Sequence, residues 1–124
     1  MIKNRNLIAS FTFALTGVKE AIKSESNLRI HFVLALISIF LGLLLQLTHT
    51  EWAVLTITIF LVLTLELLNT VLEKIVDLVS PEIKEQARIA KDISAAVVLL
   101  GAIASVVVAA FLFLPKIIAF LINL

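Results

Sequence analysis

Apolar positions run through this chain in four blocks, and their spacing differs from block to block. In the first, Leu7, Phe11, Ala14, Leu15, Val18 and Ile22 recur at helical spacing among Thr16, Lys19, Glu20 and Lys23. This predicts an amphipathic helix over about 5–24, lying in a membrane interface. Lys3 and Arg5 ahead of a short apolar run also mimic a cleaved signal segment. The helical period that persists among the charged residues favours the uncleaved helix. The next three blocks are long enough to cross a bilayer, which takes roughly 20 residues. One covers about 28–47, interrupted by His31, Ser38, Gly42 and Gln46. The second, about 52–79, is apolar as far as Leu65 and then keeps a helical period with polar residues in it. The third, about 93–114, is rich in Ala and Val, with Pro115 and Lys116 as its stop. Backbone groups in lipid have to be satisfied within the segment, so all three are expected as helices.

The connections differ. Residues 48–51 predict a tight turn without Lys or Arg, with Trp52 beside it as an interfacial anchor. Residues 80–92 are longer and charged. Ser80-Pro81-Glu82 reads as a helix stop followed by a new start, which predicts a short separate surface helix between the second and third spans. The eight residues after Lys116 are too few to span again.

Composition agrees with a bilayer as solvent. Of 124 residues, 61% are hydrophobic and 15% charged, with a mean hydropathy of +1.16. Soluble domains are usually less than half apolar and about a quarter charged. The length allows one domain, 1–124. There are no cysteines, which excludes disulfides and thiolate chemistry, and no Gly-rich phosphate loop. His31 and His49 stand alone and read as packing or interfacial residues. The net charge of +1 says little, but its distribution says more. Lys3, Arg5, Lys19, Lys23, Arg29, Lys74, Lys84, Arg88 and Lys91 fall on one side of the predicted spans and Lys116 on the other. By the positive-inside rule the first helix and the 80–92 connection face the cytoplasm.

The second span carries the candidate chemistry. Glu66, Asn69, Glu73 and Asp77 are spaced by three, four and four residues. At about 100° per residue they share one arc of roughly 80°, opposite a face of Leu, Ile and Val. A carboxylate in hydrocarbon costs at least ~2.5 kcal/mol, so Glu66 and Glu73 have to face protein, water or a cation. A polar helix–helix contact would satisfy one such residue; four in register, close to a cationic loop, favour a working site. Mg²⁺ takes oxygen ligands and is held by one or two carboxylates plus substrate phosphates. Glu73, nearer the cytoplasm, suits the metal. Glu66, deepest in the stripe, suits a hydroxyl reaching in from the bilayer, whose proton it would accept. Asn69 between them can orient Glu66 or donate to phosphate, and Lys91 can neutralise phosphate charge. The competing class is a non-enzymatic oligomer conducting protons or cations, with the carboxylates as relay groups. Against it, only Thr56, Thr58 and Thr64 continue the polar path beyond Glu66.

The segment from Glu66 to Asp77 reads Glu-Leu-Leu-Asn-Thr-Val-Leu-Glu-Lys-Ile-Val-Asp and is followed by Ala90-Lys91-Asp92. It resembles the signature of the prokaryotic diacylglycerol kinase family, which includes undecaprenol kinases. Glu25-Ser-Asn-Leu-Arg-Ile-His31 at the start of the first span is similar too. The resemblance implies a homotrimeric kinase of the bacterial inner membrane that uses Mg²⁺ and ATP to phosphorylate a lipid alcohol. The acceptor would be diacylglycerol or undecaprenol, and the active sites would lie between subunits at the cytoplasmic interface. No nucleic-acid partner is implied. By match of motif Glu66 is the catalytic base, also touching the lipid. Glu25 and Glu73 are Mg²⁺ ligands that contact the nucleotide, and Asn69, Glu82, Lys91 and Asp92 are further nucleotide contacts. Gly17 and Lys19 in the first helix match substrate-binding positions. Taken alone, Glu25 and Arg29 would be an i,i+4 ion pair. Phe13, Lys84 and Arg88 depart from residues common in the family.

Overall fold

The computed structural model describes residues 6–82 and 84–124, all of them helix or short connection. The elements are α1 (Leu7–Ser24), α2 (Ser26–Leu44), α3 (His49–Val79) and α4 (Glu85–Ile122). The last three are long and apolar enough to cross a membrane. The expected pattern of one shorter amphipathic helix and three spans is therefore present. Lys3 and Arg5 lie outside the described residues.

Each boundary has a local cause. Helix α1 begins at Leu7, where the apolar period begins, and the side chain of Asn6 caps it by accepting from the Ala9 amide at 2.8 Å. It ends where Glu25 turns to extended backbone and becomes the N-cap position of α2. The Arg29 guanidinium folds back onto this junction, donating to the carbonyls of Ile22 (2.7 Å) and Lys23 (3.0 Å). It thus satisfies the last carbonyls of α1, where the helix dipole is negative. Arg29 thus serves as a cap and not as the i,i+4 partner of Glu25 that the two residues taken alone suggest.

The first span stops at Leu44, not near 47, because Gln46 adopts a left-handed backbone, φ 57°. The tight turn is therefore 45–48, and the expectation of a turn over 48–51 is corrected. Thr48 and Glu51 form a reciprocal capping box that starts α3 at His49. Trp52 likewise packs inward, against a cluster built on Leu47, Leu55, Leu112 and Phe113. Its ring is the reason for Gly42: a Cβ there would lie 2.8 Å from the indole and 2.9 Å from Leu47. A Cβ at Gly101 would meet only the tip of Leu65, a flexible end that can move. We expect Gly42→Ala to lower stability by about 1–3 kcal/mol and Gly101→Ala to cost clearly less. Thermal unfolding in detergent, followed by loss of helical signal, would compare them.

Two expectations about the last span are overturned. Ser80 does end α3, as read, but no separate helix follows among the described residues. Pro81 and Glu82 are irregular, and α4 begins at Glu85 and runs through the charged stretch into the apolar one without interruption. At the other end Pro115 does not stop the helix, which continues to Ile122. A proline inside a helix forfeits one backbone bond, a loss tolerated where neighbouring helices support the segment. Here Lys116 pairs with Glu51 of α3 at 3.1 Å, and Ile117 packs on the Trp52 cluster. With 38 residues α4 is about 57 Å long, well beyond a hydrocarbon core of about 30 Å.

Helices α3 and α4 are the most extensively packed pair. They run antiparallel, with cross-contacts at Asp77–Lys91, Asn69–Ser94, Leu65–Gly101 and Glu51–Lys116. Helices α1 and α2 cover the same end of α3 that carries the polar stripe.

Candidate active site

The polar stripe of α3 changes character along its length. Asp77 at the charged end has a side chain 65% exposed, Asn69 and Glu73 are half-buried, and Glu66 is 2% exposed. The stripe thus descends from solvent into the protein, as its distance from Trp52 predicts.

The middle of the stripe is fixed by α4. Ser94 donates its hydroxyl to Asn69 Oδ1 at 2.7 Å, which leaves the Asn69 amide nitrogen to donate to Glu73 Oε1 at 3.3 Å. Asn69 is therefore an orienting residue for Glu73 in this geometry. Next toward the charged end, Lys91 hydrogen-bonds Asp77 across the same two helices. Arg88 then bridges Glu85 and Asp92 along α4, at 2.5 and 2.8 Å.

Glu66 is enclosed differently. Thr70 donates to its backbone carbonyl at 3.0 Å, so that hydroxyl serves the helix and not the carboxylate. The carboxylate lies 3.8 Å from Nε2 of His31 on α2. Glu25 and Glu73 are near enough for their charges to act on it as well. His31 also lines a cavity of about 190 Å³ between α2, α3 and α4, with mostly apolar walls and the hydroxyls of Ser38, Thr58 and Ser105. Those hydroxyls are tied to the carbonyls of Leu34, Val54 and Ala102. The cavity therefore presents hydrocarbon to any occupant.

The residues expected at the site fall into three places. Glu66, Asn69 and Glu73 lie along the buried part of the stripe, with Glu25 near enough for its charge to reach Glu66. Glu82, Lys91 and Asp92 line a separate cavity of about 220 Å³ at the charged end, with Lys84, Arg88 and Asp77. Gly17 borders a third space, about 410 Å³, between α1 and the Thr70–Lys74 face of α3, and Lys19 is exposed on α1. Lys91 is held by Asp77, and Asp92 is held by Arg88.

Two contacts were not read from the sequence. Ser94 follows Lys91 by three residues, so it shares a helix face with it, and a hydroxyl at the charged end of an Ala- and Val-rich span was the available signal. His31 was read as packing, although a titratable side chain inside a span is costly enough to suggest a partner. We expect Ser94→Ala to destabilise the fold by about 0.6 kcal/mol, up to ~1.7. It should also loosen Glu73, measurable as a weaker response to divalent cation; wild-type behaviour in both would show that Asn69 holds Glu73 unaided.

The fingerprint of two acidic side chains around an asparagine, with a lysine on the next helix, matches a known family over most of the chain. The model of prokaryotic diacylglycerol kinase aligns with residues 12–113. The chain belongs to that family. Among curated relatives, a diacylglycerol kinase of Synechocystis is 44% identical over 118 residues, covering 94% of this chain and 67% of that protein. An undecaprenol kinase of Bacillus subtilis is 35% identical over 107 residues, 86% of this chain and 87% of that protein. A diacylglycerol kinase of Helicobacter pylori is 34% identical over 99 residues, covering 80% and 77%. The family match takes in both clusters of site residues and stops short of Pro115. Family membership makes the chain a multi-pass membrane lipid kinase and sets aside the conducting-bundle alternative.

Proposed function

We propose that this kinase transfers the γ-phosphoryl group of ATP, with Mg²⁺, to the hydroxyl of diacylglycerol, and that Glu66 is the base. The observation that carries this reading is the burial of Glu66 against His31, which lines an apolar cavity, at the inner end of a stripe that runs out to a charged, solvent-facing cavity. The two substrates differ in the same way: one is a lipid and the other a polyanion in water.

The donor set suits Mg²⁺. Among the described residues no three His, Cys, Asp or Glu side chains gather into a closed metal site. None is required, since Mg²⁺ is commonly held by one or two carboxylates with substrate phosphates completing the shell. Glu73, already oriented by Asn69, and Glu25, at the start of α2, are the carboxylates we assign to it. Bound there, the metal supplies charge neutralisation at the phosphates. Lys91 and Arg88 add positive charge at the wider cavity, where Glu82 and Asp92 are assigned to the nucleotide. Gly17 and Lys19 of α1 are assigned to substrate binding. Glu66 accepts the lipid hydroxyl's proton as its oxygen attacks phosphorus. In phosphoryl transfer the protein contributes mainly positioning and electrostatics.

The basic residues at the Glu73 end support an orientation with that end in the cytoplasm, where ATP is, and so a location in the bacterial inner membrane. We further propose the homotrimer that the family signature implies. The second acceptor to weigh is undecaprenol, because the Bacillus undecaprenol kinase is matched over nearly its whole length. The deciding experiment is transfer of label from [γ-³²P]ATP by purified protein in mixed micelles, with diacylglycerol and undecaprenol in parallel, with and without Mg²⁺. Mg²⁺-dependent label in phosphatidic acid supports the proposal. Label only in undecaprenyl phosphate changes the acceptor, and no label in either refutes both.

A further inference from the structure

Glu66 is fully enclosed, yet its Oε2 has no hydrogen-bond partner. The other polar side chains of the stripe are engaged: Asn69 with Ser94 and Glu73, and Asp77 with Lys91. A buried carboxylate oxygen left unpaired is costly. The basic atom facing it is Nε2 of His31, at 3.8 Å, one step beyond hydrogen-bond range. The imidazole is itself largely covered, with 18% of its side chain exposed. It sits three residues after Leu28, which has no exposed surface and fixes this face of α2 in the protein. His31 therefore lines the apolar cavity and also faces the carboxylate, held by its helix near an atom that lacks a partner.

We propose that His31 is a positioning residue for Glu66: its Nε2–H donates to Oε2 when the site closes on the lipid, leaving Oε1 to face the lipid hydroxyl. The inference deepens the reading of Glu66 as the base and rests on it. In the transfer step the hydroxyl O–H bond breaks and its proton passes to Oε1. The hydroxyl oxygen forms its bond to the γ-phosphorus, the bond from that phosphorus to the β–γ bridging oxygen breaks, and ADP leaves with the electron pair. His31 neither gains nor loses a proton in this step. Its part requires hydrogen on Nε2, one of the two tautomers open to a neutral imidazole and present in the charged form.

The test compares His31→Ala and His31→Gln with the wild-type kinase in the same micelles. Loss of one hydrogen bond to a charged group should lower kcat of His31→Ala by about 10- to 100-fold, with KM for Mg-ATP unchanged. His31→Gln carries an amide N–H near the same position and should recover most of that loss. Wild-type kcat in His31→Ala, or no recovery in His31→Gln, overturns the proposal. A second measurement does not depend on activity or on the folding of these variants. In wild-type protein labelled with ¹⁵N-histidine in bilayers, His31 Nε2 should carry a proton, and its resonance should shift in Glu66→Gln while His49 stays unchanged. An unprotonated or unresponsive Nε2 overturns the proposal. Failure of the wild-type protein to label any lipid would count against the proposed function alone, with the histidine spectrum still deciding the contact.

Discussion

Replacing Glu66 by Gln is expected to lower lipid phosphorylation by about 10²- to 10⁴-fold, the usual contribution of a general base, with Mg-ATP affinity unchanged. The structure adds a second expectation that separates loss of chemistry from loss of fold. The carboxylate is 2% exposed and one of its oxygens has no hydrogen bond. An amide of nearly the same shape removes the need to bury a charge, so Glu66→Gln should be at least as stable as wild type. An inactive variant that unfolds at the same or a higher temperature would therefore point to the missing base. A variant that keeps near-normal turnover would remove Glu66 from that role, and one that is inactive and markedly less stable would make the residue structural.

How much of this was legible in the sequence depends on whether a feature belongs to one helix or to two. The stripe of Glu66, Asn69, Glu73 and Asp77 is a property of one helix, and its 3.6-residue period placed it on one face without knowledge of any neighbour. Its gradient of burial follows from its distance along that helix. The three spans were readable for the same reason, since an apolar run long enough to cross a bilayer needs no partner to be recognised. The contacts of Ser94 with Asn69 and of His31 with Glu66 are set by the register between helices. Nothing in the periodicity of α4 or α2 contains that register.

The misread boundaries have a related cause. Pro115 is a sound stop signal in an isolated helix, but the Glu51–Lys116 pair and the packing of Ile117 support the turn that follows it. Ser80-Pro81-Glu82 was read as the start of a new helix. The start lies instead at Glu85, so the charged stretch is the first part of α4 and not a separate element. That difference matters for the site. Arg88, Lys91, Asp92 and Ser94 ride on one continuous helix, so their spacing relative to Asn69 and Asp77 is fixed by the packing of α4 on α3. A separate surface helix would have let the charged residues at the outer end move independently of the buried ones.

Glu73→Gln should produce a different defect from Glu66→Gln, and the contrast tests the division of labour along the stripe. Glu73 is half-buried, and its Oε1 accepts from the Asn69 amide. A glutamine oxygen can keep that bond, so the fold and the Ser94–Asn69 contact should survive. What is lost is the negative charge and the hard oxygen donor that Mg²⁺ prefers. Removing even the outer partners of a metal site typically costs 10- to 100-fold in affinity, so loss of a direct ligand should raise the Mg²⁺ concentration for half-maximal activity by at least about tenfold. Excess Mg²⁺ should then restore part of the rate, because on the proposed assignment Glu25 and the nucleotide phosphates would still hold the ion. No such rescue is expected for Glu66→Gln, whose defect lies in accepting the proton. A Mg²⁺ titration at fixed ATP reads both variants. An unchanged curve for Glu73→Gln would take the metal away from Glu73 and leave it as the partner of Asn69, whereas rescue of Glu66→Gln by Mg²⁺ would put the deepest carboxylate in the metal shell and require another base.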